Sequence, residues 1–174
     1  MFYPLISAMR KVVFALILIS SFPALCQTHE VSSYRFFVHR TLNKDKAFEK
    51  VKLWWPSFQD CASPRVLDTI RSVSFNRVIC SGQVPVQYAM LGNTANGGIV
   101  KFNMSVELTE TGADVIISEA NHKATPGVKH KDGGDIFAEK PQKGSMIFAK
   151  TWKGYNEQFF AIIRIIENNL NKVL

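Results

Sequence analysis

The sequence predicts an α+β fold in which an antiparallel β-sheet is packed by two helices, in the order β-α-β4-α with a long C-terminal helix. Apolar residues recur every three or four positions from Tyr155 to Val173, which is the spacing of one helix face. A shorter helical stripe covers Lys44–Trp55, and apolar and polar residues alternate strictly over Ile99–Leu108. Because a wide apolar helix face needs a packing partner, we expect the C-terminal helix to lie on the sheet. The side chains expected to meet are Phe102, Met104 and Val106 of the sheet and Phe159 and Ile162 of the helix.

The first 26 residues have the features of a secretory signal peptide. Arg10 and Lys11 precede an uncharged apolar run, and small residues stand at Ala24 and Cys26. This predicts cleavage after Cys26, export to the periplasm or the cell exterior, and a single domain over residues 27–174. The alternatives are an uncleaved membrane anchor, for which the run is short, and a lipoprotein anchored at Cys26, against which the large Leu25 argues. Removal of Arg10 and Lys11 lowers the formal charge from +7 to +5.

Cleavage leaves two cysteines, Cys61 and Cys80. Because exported proteins fold in an oxidising compartment, these residues are candidates for a disulfide, which would stabilise the fold by about 3 kcal/mol. The alternative is that both are simply small buried residues. The sequence contains no CxxC pair and no Cys/His cluster of the kind that indicates zinc.

The lysines are concentrated in two segments. Such groups usually form a solvated face, and the alternative is attraction to a partner, either an anionic envelope surface or an unknown protein. Nucleic acid is not expected, because the chain is predicted to be exported and has no stripe of aromatic and arginine residues. The lysines are Lys44, Lys46, Lys50 and Lys52 in the first segment and Lys123, Lys129 and Lys131 in the second.

The first two elements of the predicted domain are a strand and a helix. β-branched and aromatic residues predict a strand over Val31–His39. Thr41 or Asn43 can then cap the helix Lys44–Trp55, and Pro56 is expected to end it.

Three further strands are predicted in the middle of the chain. Val66–Ile70 and Arg77–Tyr88 have strand-like composition, and Pro85 cannot donate to a ladder, so its strand should lie at a sheet edge or carry a bulge. The Asn- and Gly-rich segment Gly92–Gly98 is predicted to be a turn that leads into the strand Ile99–Leu108.

The remaining segments lead to the C-terminal helix. A return strand over Ala113–Asn121 completes a hairpin. Ala124–Gly144, rich in Gly, Pro and Lys, is predicted to be a long mobile loop with a short element at Asp135–Ala138. Ser145–Trp152 is expected to form a helical turn or a last short strand, which Gly154 separates from the final helix.

The order of these elements resembles the β-α-β4-α arrangement of the TATA-binding-protein-like (TBP-like) fold, and more closely a family of exported bacterial domains of unknown function with that fold. The features that suggest it are a first helix that ends in aromatic residues, a strand with an internal glycine, and a long hairpin. These are Ala47–Trp55, Val78–Val84 and Ile99–Ser118. The resemblance implies a TBP-like fold over Val31–Leu174, and it implies neither DNA binding nor catalytic residues.

His122 and His130 flank the first half of the predicted loop, with Asp132 and Asp135 close behind. Imidazole and carboxylate groups can bind a divalent metal or another ligand. The neighbouring lysines repel cations, however, and the spacing matches no established ligand pattern. We therefore interpret both histidines as surface residues of a loop, keep ligand binding as the alternative, and expect no metal and no cofactor.

Trp54 and Trp55 are adjacent on the first predicted helix, so their side chains point about 100° apart. One of them is expected in the core and the other at its border or exposed. Either both shield the edge between helix and sheet, or they form an aromatic wall for an apolar ligand or partner.

The residues leave two classes of function open. The chain has no nucleophile elbow of the G-x-S-x-G kind, and we assign no catalytic residue. The first class is an exported, non-catalytic binding or structural module of unknown ligand. The second is a carrier of a small apolar or lipid-like ligand in a cavity between the sheet and the C-terminal helix. A core filled by side chains favours the first class, and an enclosed apolar pocket favours the second.

Overall fold

The computed structural model describes residues 32–61, 67–74, 76–90, 93–127 and 131–174. The predicted signal peptide, residues 1–26, lies outside these ranges, and so does His130. No helix within the described ranges is long and apolar enough to cross a membrane.

An antiparallel sheet packs against two helices, which confirms the predicted fold class. The described strands lie in the order β1-β5-β4-β3-β2, and a sixth, two-residue strand, β6, pairs with β5. This short strand adds to the predicted order of four strands between the helices. In chain order the elements are β1 (Ser33–His39), α1 (Lys44–Cys61), β2 (Leu67–Ser74), β3 (Arg77–Met90), β4 (Asn93–Leu108), β5 (Gly112–Lys123), β6 (Gly134–Asp135) and α2 (Ala149–Val173).

The apolar face of α2 meets the sheet as predicted. Phe102, Met104 and Val106 of β4 are all buried, and the rings of Phe102 and Phe159 meet edge to face with centroids 5.5 Å apart. α1 adds further side chains to the same core. The buried residues of α2 are Trp152, Tyr155, Phe159, Ile162, Ile163, Ile166 and Leu170, and those of α1 are Ala47, Val51, Trp54, Trp55 and Phe58.

The other face of the hairpin is polar, as the alternation predicts. Lys101 and Glu107 are exposed, and Asn103 is half-buried. On the same face Arg77 donates a hydrogen bond to Ser105 across the β3–β4 pair, with Nε and Oγ 2.7 Å apart. The register therefore keeps the charged side chains out of the core.

α1 continues to Cys61, so the prediction that Pro56 ends it is wrong. Its start is confirmed, because the Asn43 side chain caps it by accepting a hydrogen bond from the Lys46 N–H at 2.9 Å. Trp55 and Phe58 are buried on either side of Pro56 and their rings stack. This packing offsets the backbone hydrogen bond that proline cannot make.

One prediction about β3 is confirmed in its second alternative, and one about β4 is wrong. β3 is an interior strand, and Pro85 lies beyond Gln83, where the described pairing with β2 ends. The predicted bulge is present, directly after Val86. The segment predicted to be a turn belongs mostly to β4, where Gly98 adopts a φ of 115° beside that bulge. The conformational freedom of these Asn and Gly residues thus permits an irregular strand, where a turn was predicted.

Three further boundaries differ from the predictions. β2 extends to Ser74, four residues beyond the predicted strand end. α2 begins at Ala149, so Gly154 lies inside it and does not separate two elements. The disulfide stays a prediction, because Cys80 is buried in the core and the side chain of Cys61 is not among those described.

Candidate functional site

The described part of the segment 124–144 folds back onto the end of β5. Gly134 and Asp135 pair with His122 and Asn121, and the Ile136 N–H donates to the Ala120 carbonyl at 2.8 Å. Ile136 itself is buried in the core. A short element is therefore present as β6, which shares only Asp135 with the predicted Asp135–Ala138, and it anchors the segment to the sheet.

His122 is fully buried, so its interpretation as a surface residue is wrong. Its Nδ1 accepts a hydrogen bond from the Gly133 N–H at 2.9 Å, and its Nε2 lies 2.8 Å from the Gly97 carbonyl oxygen. Because an amide N–H can only donate and a carbonyl can only accept, the ring is the neutral tautomer with the proton on Nε2. His122 thus ties β4, β5 and the following segment together.

A bulge in β5 explains this burial. Glu119 and Ala120 together stand opposite Phe102 of β4, and Glu119 has a positive φ of 52°. The extra residue inverts the alternation of the strand. Ile117 faces the core before the bulge, and Ala120 and His122 face it afterwards.

His122, Trp152 and Tyr155 form a group of rings that we call the imidazole cluster. The imidazole stacks on Tyr155 with centroids 5.1 Å apart and an interplanar angle of 18°, and it meets Trp152 edge to face at 5.9 Å. The Trp152 indole donates to the Ala138 carbonyl at 3.0 Å. Burial, with a smaller contribution from Tyr88, raises the pKa of Tyr155 to about 12.

Two glycines allow the backbone to approach this cluster. A Cβ atom at Gly97 would lie 2.3 Å from the Tyr155 hydroxyl oxygen, and one at Gly133 would lie 2.2 Å from the Trp152 ring. Any larger residue at either position would displace the rings. The close packing of backbone on the cluster therefore depends on these two glycines.

A surface cavity of about 800 Å³ opens beside the cluster, and we call it the loop cavity. Its described lining residues include three lysines but only one carboxylate, that of Asp132. The lysines are Lys123, Lys131 and Lys143. The Lys123 Nζ lies 2.8 Å from a carboxylate oxygen of Asp132, and the Ala124 N–H donates to the other oxygen at 3.0 Å. These two hydrogen bonds, that of Lys123 first, hold the pKa of Asp132 below its ordinary value of 3.8. The cavity therefore has an excess of positive charge.

Two polar side chains that border the loop cavity, His122 and Ser145, are held by backbone hydrogen bonds. His122 borders it, but both of its ring nitrogens are held by backbone groups, so it supports the wall and is poorly placed to act as a base. Ser145 is buried, and its hydroxyl accepts from the Ile147 N–H at 3.4 Å. Within the described ranges, no group of three or more His, Cys, Asp or Glu side chains could hold a metal ion.

Trp54 and Trp55 belong to a second group of rings, which we call the tryptophan cluster. Trp55 is 1% exposed and stacks on Phe58 at 5.6 Å, and Trp54 is 7% exposed and lines a shallow surface groove with Leu53 and Ser57. Both indoles thus belong to the buried core, where the sequence predicted only one, and Trp54 also lines the groove at the core's edge.

Several residues of the site were not predicted from the sequence. Trp152, Lys143 and Gly133 stand in no recognisable motif, and Gly97 lies in the Asn- and Gly-rich segment that was predicted to be a turn. A pair of adjacent glycines at Gly133 and a lone tryptophan three residues before Tyr155 were the available signals. They indicate close packing only when the fold brings them together.

Two solved structures resemble the chain. A TBP-like protein from Parabacteroides distasonis ATCC 8503 matches with a TM-score of 0.59 and 14% identity over 80% of this chain and 92% of that chain. A DUF4468 family protein from Bacteroides ovatus ATCC 8483 matches with a TM-score of 0.52 and 10% identity over 81% of this chain and 84% of that chain. No family model and no curated protein matches the chain. At these identities the likeness bears on the fold alone, and it agrees with the predicted order of elements: the chain has the TBP-like fold.

Proposed function

We propose that the chain is an exported, non-catalytic binding module that takes up an anionic ligand in the loop cavity. The observation that carries this proposal is that three lysines line one cavity. Lys123 lies at the end of β5, and Lys131 and Lys143 lie in the segment between β5 and α2. Lys131 and Lys143 are exposed, and Lys123 shares its charge with Asp132. Their ammonium groups suit a ligand with two or more phosphate or carboxylate groups.

The imidazole cluster supports this function by holding the cavity wall in place. His122 fixes Gly133, whose carbonyl accepts from the Gln142 N–H at 2.7 Å, and Gln142 also lines the cavity. Ser145 is held in turn by a hydrogen bond from its N–H to the Gln142 carbonyl at 3.0 Å. A wall fixed before binding reduces the entropy that the ligand must offset.

The packing between the sheet and α2 argues against the carrier hypothesis. Phe102 meets Phe159 where that hypothesis requires an apolar cavity, and the Phe137 ring also meets Phe159, with centroids 5.9 Å apart. Side chains occupy this space, and a lipid-like ligand would have to displace them.

Export is supported by the basic, apolar and small residues of segment 1–26. Expression of the full chain in a bacterium, followed by intact-mass measurement of the purified protein, tests it. The expected mass is that of a chain starting at Gln27. A mass that retains segment 1–26, or one that carries lipid on Cys26, would contradict cleavage after Cys26.

Ligand binding can be tested on the same purified protein by titration with inorganic pyrophosphate, followed through amide chemical shifts. We expect shifts at Ala124, Gly134 and Gly144, and a loss of affinity of about tenfold or more when Lys131→Gln is combined with Lys143→Gln. The matched control is Lys46→Gln with Lys50→Gln, which removes the same charge from the exposed side of α1. An equal loss in the control, or shifts spread over the whole surface, would contradict a cavity site.

A further inference from the structure

The segment that joins the loop cavity to α2 points two apolar side chains into solvent. Ser145 and Ile147 are 3% and 8% exposed, whereas Met146 and Phe148 are 68% and 77% exposed. Single exposed apolar residues are common on protein surfaces. Here two large ones project from the same four-residue segment, one on each side of a buried anchor.

Local preferences are overridden at both exposed positions. Met146 has a φ of 61°, a conformation that side chains other than glycine rarely adopt. Phe148 occupies the N-cap of α2, where Ser, Thr, Asp or Asn is preferred, and it makes no side-chain capping hydrogen bond. The Lys131 N–H donates to the Ser145 carbonyl at 3.0 Å, which helps to hold the segment in this conformation. Sequences break such rules mostly where function requires it.

Lysines flank these two side chains along the chain. Lys143 precedes them and Lys150 follows them, and both are exposed. The first turn of α2 has no acidic residue. Exposed apolar side chains flanked by lysines are a combination that binds an anionic lipid surface, because the apolar groups enter the acyl boundary while the ammonium groups meet the headgroups.

We propose that Met146, Phe148, Lys143 and Lys150 form a docking patch for an anionic lipid membrane. Charge complementarity selects this occupant, and the size of the patch agrees with it. A stable protein interface buries roughly 800 Å² on each partner, far more than two side chains supply. Only Lys143 also lines the loop cavity, so the proposal does not rest on ligand binding there.

Co-sedimentation of the purified protein with lipid vesicles tests this proposal. We expect binding to vesicles of phosphatidylcholine mixed with phosphatidylglycerol, at least about tenfold weaker binding to phosphatidylcholine alone, and weakening with added salt. The variant combines Phe148→Ser with Met146→Asn. Ser is a preferred N-cap residue and Asn tolerates a positive φ, so this variant should fold at least as well as the wild type.

The variant is expected to lose about tenfold or more in vesicle binding, because it removes both apolar tips. The matched control is Leu53→Ser on α1, which removes a side chain that is 73% exposed and should leave vesicle binding unchanged. Unchanged binding of the double variant, an equal loss in the control, or no binding of the wild type to anionic vesicles would overturn the proposal and favour a protein partner.

Two further measurements separate this proposal from the proposed function. Lys131→Gln lies in the cavity and outside the patch, so it should weaken pyrophosphate binding and leave vesicle binding within about twofold. Phe148→Ser should weaken vesicle binding and leave pyrophosphate binding unchanged. If pyrophosphate displaces the protein from vesicles in proportion to its occupancy of the cavity, the lipid headgroup occupies the cavity itself and the separate docking patch is wrong.

Discussion

The two ring clusters of the molecule are built in different ways. The tryptophan cluster takes Trp54, Trp55 and Phe58 from a single helix, within about one turn of one another. The imidazole cluster takes His122 from β5 and two rings from α2, and it is closed by glycines from β4 and from the segment after β5. The first cluster consists of residues that are close in sequence, whereas the second consists of residues that only the folded structure brings together.

The clusters also differ in how their polar groups are satisfied. The Trp55 indole N–H is buried and has no hydrogen-bond partner among the described residues. In the imidazole cluster, the Trp152 indole and both nitrogens of His122 bond to backbone groups. The first cluster therefore contributes packing alone. The second also fixes the backbone of the cavity wall through its hydrogen bonds. Burial of aromatic residues alone is therefore not enough to identify a binding site.

The largest effect is expected from His122→Ala. This change removes the stacked ring and leaves the Gly133 N–H and the Gly97 carbonyl without their partner in the core. We expect a loss of about 3 kcal/mol in the free energy of unfolding, measured by urea denaturation. Amide exchange should accelerate first at Gly133 and Gln142.

His122→Phe separates packing from hydrogen bonding at this position. It keeps a ring against Tyr155 and removes both nitrogens, so it should still cost about 2 kcal/mol because two buried backbone groups lose their partner. If His122→Phe unfolds at the wild-type urea concentration, the hydrogen bonds do not organise the cluster, and the contrast with the tryptophan cluster fails.

An intermediate effect is expected at alkaline pH. The pKa of Tyr155 is raised from 10.0 to about 12, mainly by burial. Below pH 10 the phenol is neutral in both the folded and the unfolded state, so its contribution to stability stays constant. Between pH 10 and about 12 the unfolded state ionises first, so stability should fall by about 2 kcal/mol and then level off.

Tyr155→Phe is the comparison for this measurement. The variant should lack this contribution between pH 10 and 12, and every other side chain is the same in the two proteins. Urea denaturation at a series of pH values gives the two slopes. Identical slopes would mean that Tyr155 ionises as easily in the folded state as in the unfolded state, and that the cluster is open to water.

The sequence predicts the parts of this fold that depend on local periodicity. Alternation in β4 and the three-to-four spacing in α2 are properties of consecutive residues, and they correctly predict that Phe102 meets Phe159. The cap at Asn43 is equally local. Elements of this kind are sufficient to indicate the TBP-like arrangement, because their order along the chain already distinguishes it.

The site depends on features that are not local. The bulge at Glu119 reverses the alternation that would have placed His122 in solvent, and it is set by the pairing of two strands. The Asn/Gly segment before Ile99 has the composition of a turn, yet its glycines meet Tyr155 and Lys123 across the fold. A single sequence gives composition at these positions but not the contacts that decide their role.

The smallest expected effect is the difference in stability between Trp152→Phe and Trp55→Phe, and it is the most direct comparison of the two clusters. Both changes replace a buried indole with a phenyl ring, so the packing loss should be similar. Trp152→Phe also removes the hydrogen bond to the Ala138 carbonyl, whereas Trp55→Phe removes a buried N–H that has no partner in the described structure. We expect Trp152→Phe to cost about 1 kcal/mol more in the free energy of unfolding.

Urea denaturation of the two variants in parallel measures this difference, and amide exchange gives its location. In Trp152→Phe the faster exchange should be confined to residues 131–145, because the lost bond joins α2 to that segment. In Trp55→Phe no local opening there is expected. If both variants lose equal stability, the Trp55 N–H has found a partner of its own. The tryptophan cluster would then be tied to its surroundings as the imidazole cluster is, and polar satisfaction would no longer distinguish the part of the molecule that positions the cavity.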